Sequence, residues 1–138
     1  MSGRVFVDTN ILIYAHDLDA GRKHTTAVRV VEELWSSRSG ALSVQVLQEF
    51  YVNVTRKIRK PLTRKLARDV IEVYGAWHVE MIEAGDVVRA SILEERHRLS
   101  FWDALILVSA KKAGAERVLS EDLSHRQRID GVTVENPL

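Results

Sequence analysis

Val5-Phe6-Val7-Asp8-Thr9-Asn10 is a run of three apolar residues closed by three turn formers. A short continuous apolar run with such a boundary is the pattern of a buried strand. Beyond it the pattern alternates. Ala27, Val30, Val31, Leu34 and Trp35 recur at helical spacing, and Ser36 to Gly40 ends that helix. Ala41-Leu42-Ser43-Val44 is a second β-prone stretch, with Ser43 placed to cap the next helix. That helix carries the stripe Leu47, Tyr51, Val54 and Ile58 and stops before Pro61. Leu66, Val70, Ile71 and Tyr74 mark another helix, Trp77 to Ile82 alternates as a strand, and Val87, Val88 and Ile92 mark a further helix. Phe101 to Ala110 is apolar almost all round and should be the most buried helix, while Arg117-Val118-Leu119 and Val132-Thr133-Val134 are brief β-prone runs. Short strands alternating with helices argue for βαβ units. The expected fold is α/β, a three-layer α/β/α sandwich with a mostly parallel central sheet, in a single domain spanning residues 1–138.

Composition narrows the chemistry. With 138 residues, 46% apolar and 28% charged, the chain has the ordinary mixture of a globular domain. It contains no cysteine, which excludes a disulfide scaffold, a thiol nucleophile and any thiolate-held metal. Twenty Lys and Arg against 19 Asp and Glu leave a net charge of +1, so no global field announces a nucleic-acid or membrane partner. The apolar run before Asp8 is too short for a signal peptide, and Ala104 to Ala110 falls far short of the ~20 residues that span a bilayer. A cytoplasmic protein without a membrane partner is expected. The five histidines show no metal-ligand spacing, and there is no serine-nucleophile motif or glycine-rich phosphate loop.

In parallel sheets, ligands bind outside the carboxyl ends of the strands, so an acid just past a buried strand carries extra weight. Asp8 holds such a position, and so do Glu121 and Asp122, which come after Val118-Leu119 and Ser120. Each has a plainer reading, because Asp initiates turns and caps helices. Ser100-Phe101-Trp102-Asp103 fits a capping box, with Asp103 reaching back to the Ser100 amide. Yet Asp103 is the only carboxylate in an apolar stretch, where an unpaired charge is costly. Glu49 lies about 200° from Leu47 on a helical wheel, nearly opposite the apolar stripe, which makes it a solvated residue by periodicity alone. Arg56, Lys57, Arg59, Lys60, Arg64, Lys65 and Arg68 put seven cations into thirteen positions with no acid among them. That run is either a solvated face or a phosphate-contacting ridge.

Four segments together resemble the PIN-domain nucleases. Val5-Phe6-Val7-Asp8-Thr9-Asn10-Ile11-Leu12 resembles the family's opening strand and motif, and Ser43-Val44-Gln45-Val46-Leu47-Gln48-Glu49-Phe50 the helix that supplies its second acid. Ser100-Phe101-Trp102-Asp103-Ala104-Leu105-Ile106 is similar to its third motif. Leu119-Ser120-Glu121-Asp122-Leu123, with Ile129-Asp130-Gly131-Val132 and Asn136-Pro137, resembles the end of the VapC-like toxin branch. The motifs cover nearly the whole chain in order, with Ser120 where Thr is also common and no counterpart for the Arg56 to Arg68 region. The resemblance implies a cluster of Asp8, Glu49, Asp103 and Asp122, with Asp8 and Asp103 as direct metal ligands and the other two completing the site. Asn10, and Thr9 or Ser120, would orient the carboxylates.

Two carboxylates ~5 Å apart repel by about 3 kcal/mol at an effective dielectric near 20, so four in one pocket require a counter-charge. Oxygen-only ligands suit Mg²⁺ or Mn²⁺. The function implied is a metal-dependent endoribonuclease acting on RNA, the toxin of a toxin–antitoxin pair, with a small antitoxin protein as inhibitor and a homodimeric assembly. Two alternatives stand beside it: a catalytically silent PIN-like module that binds RNA or protein, and a phosphatase or receiver-type phosphoryl-transfer domain. The second lacks support in an acid two residues after Asp8 and in a Lys after a late strand.

Overall fold

The computed structural model describes residues 3–138. In chain order the elements are β1 (Arg4–Val7), α1 (Thr9–His16), α2 (Arg22–Ser37), β2 (Gly40–Ser43), α3 (Val44–Arg56) and α4 (Arg64–Tyr74). They continue as β3 (His78–Glu80), α5 (Ala84–His97), α6 (Phe101–Lys112), β4 (Ala115–Leu119), β5 (Arg128–Ile129) and β6 (Val132–Glu135). The strands form one sheet in the order β3-β2-β1-β4-β6-β5, parallel throughout except for the β5–β6 pair. β1 is the central strand that the apolar run predicts. Phe6 faces Ala41 of β2 on one side and Val118 of β4 on the other, and Phe6 and Val7 are fully buried.

Chain direction distributes the helices. From β1 to β3 the strands step one way across the sheet, and from β3 to β4 the chain returns past β1. Right-handed crossovers therefore put α1 to α4 on one face and α5 and α6 on the other. The packing agrees: α1 rests on α2 and α3, α3 on α4, and α5 on α6. The α/β fold with helices on both sides of a mostly parallel sheet is thus as expected, and Ala104 to Ala110 of α6 is buried without interruption. Among the described residues no helix is long and apolar enough to cross a membrane.

Several local expectations shift. After the turn formers at Asp8-Thr9-Asn10 comes a helix that the sequence pattern does not mark, with the Asp8 carboxylate capping α1 by accepting from the Thr9 amide. β3 is shorter than the alternation of Trp77 to Ile82 implies, since Trp77 turns its indole over Gly40, where an added Cβ would lie 2.6 Å from the ring. On α3 the buried line is Val46, Phe50 and Val54, one step round from the stripe read off Leu47 and Tyr51, which are only partly covered. On α4 Ala67 and Tyr74 are buried while Leu66 is exposed. On α5 the inward residues are Asp86, Ala90 and Leu93, and Val87, Val88 and Ile92 face outward. On α4 and α5 an alanine occupies the buried face, letting helices approach closely where larger apolar residues would not fit. β5, only two residues long, carries no periodicity that a sequence reading could use.

Candidate active site

The strand order reverses at β1, which has β2 on one side and β4 on the other. Such a switch point leaves a crevice outside the carboxyl ends of the two diverging strands. Asp8 leaves β1 there and Ser120 leaves β4, with the Asp8 amide donating to the Leu119 carbonyl at 2.9 Å. One oxygen of the Asp8 carboxylate accepts from the Thr9 amide at 2.7 Å, and the other accepts from the Ser120 hydroxyl at 2.7 Å. The Ser120 oxygen in turn accepts from the Asp122 amide at 3.1 Å. Thr9 and Asn10 reach the other acids. Thr9 donates its hydroxyl to Glu49 at 2.6 Å, and Asn10 donates its side-chain amide to Asp122 at 2.9 Å. Asp8-Thr9-Asn10 therefore ties the end of β1 to α3 and to the loop after β4. Thr9, Asn10 and Ser120 thus each donate to a carboxylate.

Asp8, Glu49, Asp103 and Asp122 all line one open cleft of about 520 Å³, and Lys57 is the sole cationic side chain lining it among the described residues. Asp103 stands in the first turn of α6, whose cap is Ser100, accepting from the Asp103 amide at 3.1 Å. The return bond of a full capping box, from the Ser100 amide to the Asp103 carboxylate, is not made among the described residues. The Asp103 side chain lines the cleft. Burial pushes the Asp8 carboxyl up to about 6, against the opposing hydrogen bonds from Ser120 and Thr9, and the charges of Asp103 and Asp122 add to the rise. Asp103 is raised as well, first by burial, opposed by Ser100, and then by the charges of Asp122 and Glu49. The arrangement holds negative charge at an energetic cost that a cation would offset.

The donors suit a hard ion, since the acids are all carboxylates and the buried Gln45 Oε1 has no protein hydrogen-bond partner among the described residues. No three Asp, Glu or His side chains among the described residues converge tightly enough to enclose an ion by themselves. Mg²⁺ ordinarily keeps several of its waters and takes one or two carboxylates rather than a protein cage.

Glu49 corrects the wheel arithmetic. Because the buried line of α3 runs through Val46, Phe50 and Val54, Glu49 stands at its margin, where Thr9 can reach it. Glu121 and Asp122, adjacent in sequence, part company. Glu121 is held by Tyr14 at 2.6 Å and by Lys23, while Asp122 lines the cleft. Lys57 belongs to the basic run, but nothing in the sequence distinguishes it from its six companions. A slightly larger hollow of about 590 Å³ lies between α5 and α6, and there the acids are already paired. Lys112 binds Asp86 at 2.8 Å and Glu83 at 3.0 Å, and Lys111 binds Asp130 at 2.8 Å. That hollow has no uncompensated acid to hold a cation.

Comparison with known families decides the lineage. The model of the PIN domain matches residues 5–129. The chain belongs to the PIN-domain family. No curated protein sequence matches it. Among solved structures, this PIN domain is similar to VapC20 of Mycobacterium tuberculosis, a sarcin–ricin-loop-cleaving toxin, with 26% identity and a TM-score of 0.67 over 86% of this chain and 91% of that one. A chain of a toxin–antitoxin complex from Klebsiella pneumoniae is 22% identical, with a TM-score of 0.71 over 97% and 98%. A chain of DNA-bound VapBC from Salmonella typhimurium is 17% identical, with a TM-score of 0.67 over 96% and 97%. At these last two identities the likeness speaks for the fold alone.

Proposed function

We propose that the chain, as one nuclease domain across residues 1–138, is a divalent-metal-dependent endoribonuclease and the toxin of a toxin–antitoxin pair. The observation that carries this reading is that four carboxylates, from four separate segments, line one cleft at the switch point of the sheet. Asp8 and Asp103 would hold Mg²⁺ or Mn²⁺, and Glu49 and Asp122 would complete the site. When bound, the cation supplies Lewis acidity that activates water at neutral pH and stabilises charge on the phosphodiester oxygens. The protein's own residues fix positions. The Thr9 amide and the Ser120 hydroxyl prevent the Asp8 carboxylate from rotating, Thr9 steadies Glu49, and Asn10 steadies Asp122. Similarity to a sarcin–ricin-loop-cleaving toxin supports RNA as substrate, and similarity to a chain of a toxin–antitoxin complex supports a small antitoxin as inhibitor. A cytoplasmic homodimer is the assembly proposed, and the exposed Val88 and Ile92 of α5 offer apolar surface for a second copy.

The test is metal removal. Purified protein incubated with single-stranded RNA is expected to lose all cleavage in EDTA and regain it with excess Mg²⁺ or Mn²⁺, monitored by fragment length on gels. RNA that is bound but left uncut under both metals would replace the nuclease by a binding module.

The basic segment has its own test. All seven cations are exposed, and only Lys60 and Lys65 have carboxylate partners among the described residues, Asp19 at 3.9 Å and Asp69 at 2.9 Å. Lys57 joins this surface to the cleft. With Arg56, Arg59 and Arg64 all replaced by Gln, the salt dependence of RNA affinity should flatten by about 0.7 in log–log slope for each phosphate no longer neutralised. An unchanged slope would make the run a solvated face.

A further inference from the structure

Trp102 stands beside Asp103 at the mouth of the cleft, and 61% of its surface is exposed. Exposure on this scale is uncommon for the largest apolar side chain, which is highly buried on average. The other residues of α6 show that the helix has room to bury apolar groups, since the run from Ala104 to Ala110 is completely covered. Trp102 lies just before that run, on the same helical face as Ile106, and the first turn carries it past the core to the rim. Phe101 braces the indole edge-on, with ring centroids 5.2 Å apart.

The cleft has a mixed lining that an ion alone does not require. Ile13, Val52 and Ile106 give it an apolar wall beside the carboxylates, and Lys57 adds one cation. Gln45 is buried, its amide nitrogen directed to Glu49 at 3.4 Å, and its Oε1 is left without a protein donor among the described residues. An aromatic face, an apolar wall, an open hydrogen-bond acceptor and a cation are the elements that hold an unpaired nucleotide: base on ring, donor on acceptor, phosphate near ammonium. Resting on the nuclease reading, we infer that Trp102 is a stacking platform for one unpaired base next to the scissile phosphate. The substrate must then be single-stranded or looped at the cleavage point, because a base inside a helix has no free face to offer.

The experiment measures binding without chemistry. In EDTA, the affinity of the protein for short single-stranded RNA oligonucleotides is measured by fluorescence anisotropy. Trp102→Leu is expected to weaken binding about tenfold, and Trp102→Phe to restore most of it. An oligonucleotide carrying one abasic nucleotide is then moved along the sequence. At one position it should weaken binding to the wild type about tenfold while leaving Trp102→Leu unaffected. A structural role for the ring would not produce that coupling. Abasic penalties that are equal in the two proteins at every position overturn the assignment, as does unchanged affinity in Trp102→Leu. A change in sedimentation of Trp102→Leu with unaltered RNA affinity also overturns it, in favour of a protein contact. Cleavage by the metal-loaded wild type with no effect at Trp102 leaves the nuclease standing and removes the platform. Absence of both binding and cleavage in the wild type removes both.

Discussion

Asp8→Asn is expected to abolish RNA cleavage and, in the same molecule, to stabilise the metal-free protein. The two effects have one cause. Burial raises the Asp8 carboxyl from 3.8 to about 6, so the folded chain holds that proton more tightly than the unfolded chain does. Below pH ~4 the side chain is neutral in both states and burial costs little. Between about 4 and 6 the unfolded state ionises first, and stability falls as pH rises. Above about 6 the folded state carries the full cost of a desolvated carboxylate, at most about 3 kcal/mol for that rise. An asparagine in its place would keep the shape, still accept from the Thr9 amide and carry no charge. Its gain is smaller than the full cost, since the Ser120 hydroxyl loses its acceptor oxygen. The midpoint of thermal unfolding in EDTA should therefore rise by about 4 °C or more at pH 8, and the difference should shrink toward zero by pH 4. Cleavage should fall at least about a hundredfold, because a ligand charge worth several kcal/mol to the transition state is removed. An apo protein that the substitution destabilises equally at pH 4 and pH 8 would show that Asp8 is held for its cap alone.

These expectations rest on contacts only partly legible in the sequence. β1 and β2, and the burial of α6, are visible in nearly continuous apolar runs and turn formers, because an element buried on both faces has no polar face to confuse the pattern, while β4 and β6 show only as brief β-prone runs. The amphipathic helices are harder. On α5, Val87, Val88 and Ile92 form a hydrophobic stripe that points outward, while Ala90 and the ion-paired Asp86 point inward. A wheel ranks residues by hydrophobicity, but close helix packing selects for size, and a buried Asp matched to Lys112 reads as polar. Glu49 fails the same arithmetic, and only its resemblance to a family motif brings it into the site. Asp122 cannot be separated from Glu121 by composition. Their division arises from Tyr14 and Lys23, which lie about a hundred residues away in the chain and capture Glu121. Asp8 is the most legible residue because topology places the end of a central strand at the switch point whatever the side chains do.

Expression of the wild-type chain alone is expected to arrest growth, and expression of Asp8→Asn or Asp103→Asn is not. The same acids that would bind the metal ion would supply the means of control. A cleft with four carboxylates and one lysine is short of positive charge, and an arginine from a partner peptide can supply it through paired N–H donors to a carboxylate. Its guanidinium would occupy the place of the cation and relieve the same strain on Asp8 and Asp103, so inhibitor and metal ion would compete. The partner needs further surface to hold the arginine there, and Trp35, Val70 and Tyr74 line a shallow apolar hollow across α2 and α4. An amphipathic helix laid into such a hollow gains affinity from its apolar face. Co-expression of the cognate antitoxin that the toxin reading requires should then restore growth to the wild type, and should leave the Asn variants unaffected. Growth curves from a tightly controlled promoter, with soluble protein confirmed by sedimentation, decide the matter. If the folded wild type and the Asp8→Asn variant permit equal growth, the toxin is excluded, and a nuclease that cuts RNA in the tube would have to serve its host in some other capacity.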